Sequence, residues 1–268
     1  MATAATGGGE AGVSIERIFG RAFGTIRANP LATLGIAFLF SAVPSVALNY
    51  FVQSRQMQLL ARVGLWGVIA LSLATVVISV VISAITQGAL VRATVAHSDG
   101  RESTLAESAG AGLAVIVPLF LTGLLTAFGV GLATLLLIVP GVMLYCAWCV
   151  AGPAVVVERL WPIAAVERSR ELTRGARWKI FGLLLILMVG YWILSAVVGV
   201  VTLQTSGGIR NMAAMNRSGG FPLTVLVLGG IVQTIVACVW GVVISALYVE
   251  LRNWKDGPQS ATLAEVFA

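Results

Sequence analysis

The sequence predicts an all-α, polytopic membrane protein with six transmembrane helices and two or three interfacial amphipathic helices. Three observations predict it. Of 268 residues, 58% are hydrophobic and only 10% are charged, whereas a soluble domain carries about 25% charged residues. Mean hydropathy is +0.97. The 17 basic and 11 acidic residues fall in clusters between long uncharged runs, so there is too little polar surface to coat a globule.

The elements follow in order. Residues 1–12 are Ala, Gly and Thr with one Glu. Lacking a basic start and an apolar core, they do not read as a secretory signal and are expected to form a disordered cytoplasmic leader. The six-span domain is assigned to 13–257 and a cytoplasmic tail to 258–268. In 13–28, Ile15, Ile18, Phe19, Ala22, Phe23 and Ile26 share one helical face, opposite Arg17, Arg21 and Arg27. That pattern suits a helix in the headgroup plane, and Asn29-Pro30 ends it.

A span needs about 20 apolar residues to cross about 30 Å of hydrocarbon. The uncharged segments 31–52 and 63–91 qualify. Fifty uncharged residues then separate Glu107 from Glu158, too many for one crossing. They are expected to form a hairpin of 111–128 and 132–157, turning at Gly129-Val130-Gly131, with Pro140-Gly141 kinking the second arm. The last spans are 180–203 and 221–249. Before the fifth, Pro162 opens a helix with Ala165, Val166, Ser169, Leu172 and Thr173 on its small or apolar side. Glu167, Arg168, Arg170, Glu171 and Arg174 lie opposite; Gly175 is its expected stop and Trp178 a headgroup-level anchor. Thr104-Leu105-Ala106-Glu107 has the form of a capping box. These three lead-ins suggest a threefold repeat of helix plus hairpin, although identities between the units are poor.

Basic residues set the orientation. Thirteen lie on the side of both termini, against Arg55, Arg62, Arg210 and Arg217 on the other, and all eleven acidic residues share the majority side. Both termini are expected in the cytoplasm, and the simplest address is a bacterial inner (cytoplasmic) membrane.

Few residues suggest chemistry. Cys146 and Cys149 lie about halfway down a span, with Cys238 in another and no histidine near, so they read as small structural residues rather than a redox pair or metal site. His97, the single histidine, reads as a solvated loop residue. No catalytic, metal or cofactor-binding residue is assigned and no cofactor is expected. No ionisable residue falls at mid-membrane, where ion-coupled transporters need them. Glu158 with Arg159 and Glu250 with Arg252 read as interfacial ion pairs at the ends of spans four and six.

Hydroxyl and amide residues do pattern. Ser72, Thr75, Ser79 and Ser83 recur along one face of span two with Gln87, and Gln233 and Thr234 belong to a similar stripe in span six. Such stripes pack helices closely, or face a cavity that accepts a polar headgroup, with Tyr191 and Trp192 at its border. Arg168, Arg170, Arg174, Arg177 and Lys179 are the candidate contacts to lipid headgroups, anionic ones included, each basic residue contributing about 1 kcal/mol near such a surface. Membrane lipids are thus the expected partners; nucleic acid is not, and no protein partner is specified.

Val139-Pro140-Gly141-Val142, the run Ala165-Val166-Glu167-Arg168-Ser169-Arg170-Glu171-Leu172-Thr173-Arg174-Gly175, Trp178-Lys179-Ile180-Phe181-Gly182-Leu183 and Leu247-Tyr248-Val249-Glu250-Leu251-Arg252 together carry a resemblance. They resemble the bacterial integral-membrane family named for the membrane domain of glycerophosphoryl diester phosphodiesterase and its YciC-like relatives. The resemblance runs from about Ile15 to Phe267 and is strongest in 139–183. It implies six helices and an inner-membrane address, but not the phosphodiesterase reaction, which belongs to a separate soluble domain in fused relatives. The expected function is therefore a non-enzymatic, lipid-interacting or membrane-assembly component. The alternative is a transporter or channel for a small or amphiphilic solute, lined by the stripes of spans two and six.

Overall fold

A computed structural model describes residues 13–98, 110, 115–205 and 223–257, and among these every regular element is helical. α1 (Ile15–Ala28) precedes α2 (Pro30–Ala37), one π-helical turn (Phe38–Ala42) and α3 (Val43–Val63); α4 (Leu65–Ser98) follows. Next come α5 (Ile116–Leu136), α6 (Ile138–Trp148), α7 (Ala151–Glu158), α8 (Pro162–Thr173), α9 (Arg177–Thr205) and α10 (Leu223–Asp256). Among the described residues, six stretches are long and apolar enough to cross a bilayer. They are Pro30–Val52, Leu65–Ala96, Ile116–Leu136, Ile138–Glu158, Arg177–Gln204 and Val227–Asp256. The leader 1–12, the tail 258–268, the capping box at 104–107 and the segment carrying Arg210 and Arg217 lie outside the described residues.

The turns have local causes. The Asn29 side chain accepts the Ala32 N–H at 3.3 Å. Pro30, at the first helical position, loses no bond that the helix could have made. The pair redirects the chain from α1 into span one. α3 is helical through Val63, and Gly64 at φ +73° reverses the chain into α4 in a single residue, a conformation glycine adopts without a Cβ penalty.

The hairpin of spans three and four departs from expectation. Gly129 and Gly131 do not turn: α5 continues through them, and the reversal comes at Leu137, in extended backbone at φ −156°. Pro140 accounts for the shift. A helix continued through it would lose a hydrogen bond and clash with the carbonyl four residues back, whereas in the first turn of a new helix its missing N–H costs nothing. Pro140 thus starts span four instead of kinking it. The glycines serve close packing. A Cβ on Gly129 would overlap the Trp148 ring, and one on Gly141 would lie 2.7 Å from Thr134 Cα.

Span four does break, at Cys149-Val150, with Pro153 in the first turn of α7 under the same rule. The Ala147 carbonyl, in the last turn of α6, then lacks a helical partner. Ser169 Oγ, fully buried on α8, donates to it at 2.9 Å, and Thr173 Oγ1 lies 3.3 Å from the same oxygen. A bilayer tolerates a broken helix when neighbouring hydroxyls satisfy the freed groups.

α4 and α10 form the centre. α10 packs on α1, α2, the π-helical turn, α4 and α9, and Leu90, Val242, Val243 and Leu247 are buried between the elements. Gly241 admits Leu90, whose Cβ would lie 3.3 Å from an added Cβ. Ile18 and Ala22 of α1 are also buried in this core, while Phe23 stays exposed. Much of the apolar face expected to meet lipid is therefore spent on protein. α9 lies at the edge against α10 and α6, with Ile186, Val189, Trp192 and Val197 exposed, as a lipid-facing helix requires.

Candidate functional site

Two ionic clusters gather where α1 and α8 meet the C-terminal ends of α7 and α10. Glu250, 7% exposed, accepts from Arg17 Nε at 2.8 Å and lies 3.7 Å from Arg21 Nη2. Glu158 accepts from Arg168 Nε at 3.1 Å on each oxygen and from the Tyr248 hydroxyl at 2.7 Å. Arg168 also bonds Asp256 and lies 3.9 Å from Glu171. Burial lowers the Arg168 pKa, but hydrogen bonds to Asp256 and Glu158 outweigh it and hold the pKa above its ordinary value.

These geometries correct two expectations. Glu158 and Glu250 pair with Arg168 and with Arg17 and Arg21, not with the adjacent Arg159 and Arg252. Arg159 sits at φ +52°, in the left-handed region, as the cap of α7, which directs it away from its neighbour's carboxylate into an exposed position. Arg168 is occupied by protein carboxylates, so it is not available to lipid. Of the other candidate headgroup contacts, Arg170, Arg174 and Lys179 are exposed. Arg177 is half-buried, its Nε covered and without a hydrogen-bond partner. The clusters act as fasteners: each ties an interfacial helix to the end of a span.

The second feature is polar and, among the described residues, carries no charge. A cavity of about 350 Å³ opens between spans one, two and six. Ser41 and Ser45 line it from the first, Ser79, Ser83 and Gln87 from the second, and Gln233 from the sixth. Gln233 Nε2 lies 3.4 Å from Ser41 Oγ. A neighbouring cavity of about 490 Å³ continues toward spans three and four and shares Ser83, Gln87 and Trp240 with the first. Thr122, Thr126, Tyr145 and Trp148 extend its polar and aromatic lining. Ser41 falls midway along the first span, and Ser79 and Ser83 near the centre of the second, so this cleft lies at mid-membrane depth. Thr86 braces it: its hydroxyl lies 3.0 Å from the Phe40 carbonyl and 2.9 Å from Ile82 O. Phe40 belongs to the π-helical turn, whose wider ring offsets backbone bonds.

The two stripes divide. Ser79, Ser83, Gln87 and Gln233 reach the cleft. Ser72, Thr75 and Thr234 bond carbonyls of their own helices, Val68, Leu71 and Gly230, at 2.8, 2.7 and 2.8 Å. Tyr191 and Trp192 border a different space, an apolar groove of about 620 Å³ between α9 and α10. Sequence reasoning missed Ser41 with Ser45 and Thr122 with Thr126, although each pair has the i, i+4 spacing used to find the longer stripes. It also missed Trp240, which borders both cavities and the groove. Cys149 lines the second cavity with its thiol 3.3 Å from the Cys146 carbonyl, and all three cysteines are free.

Six apolar helices, five of which line a polar cleft that is free of charge among the described residues, define a multi-pass, all-α membrane protein. The chain belongs to the family described as Domain of unknown function (DUF7847), which matches residues 104–251. That match takes in spans three to six, while Ser41, Ser79, Ser83 and Gln87 lie before it. No curated protein and no solved structure matches the chain.

Proposed function

We propose that this protein is a non-enzymatic component of a bacterial cytoplasmic membrane that binds a lipid within its bundle. One observation carries the reading. Ser79 and Ser83 are exposed near the centre of span two, where hydrocarbon offers no hydrogen bonds, and an unsatisfied polar group there costs several kcal/mol. An amphiphile's headgroup in the cleft relieves that cost. The combined space falls within the 300–1,000 Å³ usual for ligand sites.

The lining supports binding over catalysis, since among the described residues its polar side chains are amides, hydroxyls, a tyrosine, tryptophans and one thiol close to the Cys146 carbonyl. The basic excess on the side of the termini supports a cytoplasmic orientation for both of them. The resemblance of 139–183 to the glycerophosphoryl diester phosphodiesterase membrane domain fits a lipid-facing role and forms part of this proposal. Exposed Arg170, Arg174 and Lys179 would add contacts to anionic headgroups at the surface.

Mass spectrometry of lipid co-purified with the full chain, after extensive detergent exchange, tests the reading. About one retained lipid per chain is expected. A lipid-free protein that instead drives solute-specific flux in proteoliposomes, abolished by Ser79→Leu, would favour the transport alternative.

A further inference from the structure

The polar cleft and the apolar groove share a wall. Trp240 and Val236 of α10 line both the 350 Å³ cavity and the 620 Å³ groove. On one side of Trp240 lie Ser41, Ser83, Gln87 and Gln233. On the other lie Phe19, Leu187, Gly190, Tyr191, Ile235 and Val239. One helix face therefore separates a hydrogen-bonding compartment from one lined almost wholly by hydrocarbon and aromatic rings. Their adjacency matches an amphiphile whose two halves are solvated separately.

The charge of the head follows from the lining. Among the described residues, no Arg, Lys, Asp or Glu borders either cavity or the groove. On α10 the nearest ionic group is Glu250, nine residues beyond Gly241 and therefore about 13 Å further along the axis at 1.5 Å per residue. Glu250 is itself engaged by Arg17. An isolated anion brought from water to such a site loses tens of kcal/mol of solvation by idealised electrostatics, with no cation to restore it. An uncharged polyol has no such penalty. Each of its hydroxyls donates and accepts, and each glutamine amide offers two donors and an acceptor. At about 30 Å³ of liquid volume per water, the smaller cavity holds on the order of ten waters, a space that admits a glycerol or one hexose.

We propose that the cleft and groove form a single site for an acylated polyol: an uncharged glycerol or sugar head between Gln87 and Gln233, with its acyl chain in the groove beyond Trp240. This inference rests on the lipid-binding reading and names the chemistry of the ligand.

The test uses the full chain in nanodiscs with two probes that share an oleoyl chain, radiolabelled 1-monooleoylglycerol and 1-oleoyl lysophosphatidate. Saturable binding of monooleoylglycerol at one site per chain is expected, with lysophosphatidate at least tenfold weaker. Gln87→Leu combined with Gln233→Leu should lower monooleoylglycerol affinity at least tenfold. Gly190→Leu should do the same by filling the groove; a Cβ there meets nothing within 4 Å, so that variant keeps the fold while it blocks the acyl chain. Lysophosphatidate binding as tightly as monooleoylglycerol would overturn the uncharged head and leave the lipid-binding reading standing. Undiminished monooleoylglycerol binding in both variants would overturn the two-part site. Failure of both probes to bind would overturn this inference, and the lipid-binding reading falls with it only if the purified chain also retains no lipid.

Discussion

Ser169 occupies a position where one side chain resolves a backbone problem. Pro153 ends the continuity of span four, the Ala147 carbonyl is left in the last turn of α6, and the buried Ser169 hydroxyl reaches it at 2.9 Å. Ser169→Ala should strand that carbonyl and cost about 1–3 kcal/mol. The cost should appear as a lower thermal-unfolding midpoint of the detergent-solubilised protein. Thr173→Val should cost less, because the Thr173 hydroxyl lies closer to Ser169 O on its own helix, at 2.9 Å, than to Ala147. Equal losses in the two variants would contradict this division of labour. Glu250 and Glu158 follow the same logic with full charges. Each is held by arginine from another helix, Glu250 by Arg17 from the far end of the chain and Glu158 by Arg168 ten residues on, because burying a carboxylate without a partner is far costlier than ordering the partner. The small face of α8 was visible in the sequence, since Ala165, Ser169, Leu172 and Thr173 share it. Its target was not, because which carbonyl at the break in span four meets Ser169 depends on how α8 packs against α6.

The helices themselves show which glycines separate elements and which bring them together. Gly129, Gly131 and Gly141 all lie near the hairpin of spans three and four, and composition alone makes the first two a turn. The structure makes Gly129 and Gly141 points of contact, against Trp148 and Thr134, and leaves Gly131 with nothing within 4 Å of an added Cβ. Gly131→Ala should therefore be neutral or stabilising by up to about 1 kcal/mol, the helix-propensity gain. Gly141→Ala should destabilise by about 1–3 kcal/mol through overpacking. Paired unfolding curves in one detergent measure both. A Gly141→Ala variant as stable as Gly131→Ala would refute the close approach of α5 and α6. Proline proved the more informative residue in this hairpin. Pro140 and Pro153 each sit in a first helical turn, and reading both as starts rather than kinks would have located the turn at Leu137 and the break at Cys149.

Over the whole bundle, charge placement and cavity placement are complementary. The described ion pairs sit at one end, where interfacial helices close on spans four and six, and the described lining of the interior cleft is polar without charge. Basic residues predict which end faces the cytoplasm. With the three native cysteines replaced, Arg174→Cys and Arg252→Cys should react with a membrane-impermeant thiol reagent only from the cytoplasmic side, and Arg55→Cys only from the other. Labelling of Arg55→Cys from the cytoplasm would overturn the orientation. The number of spans, their rough limits and the lead-ins at α1 and α8 were legible in the sequence. Hydrophobic length and helical period are properties of contiguous residues, and they do not depend on what the segment packs against. The cleft depends on convergence: Ser41, Ser83 and Gln233 belong to spans one, two and six, and similar serines and threonines in those spans bond their own backbones instead. Only the packing of α10 against α4 and the first span selects which hydroxyls meet a cavity. The same packing places Trp240 between polar and apolar space, because in a bilayer every span is apolar enough to face lipid and the interhelical fit alone decides which faces do not.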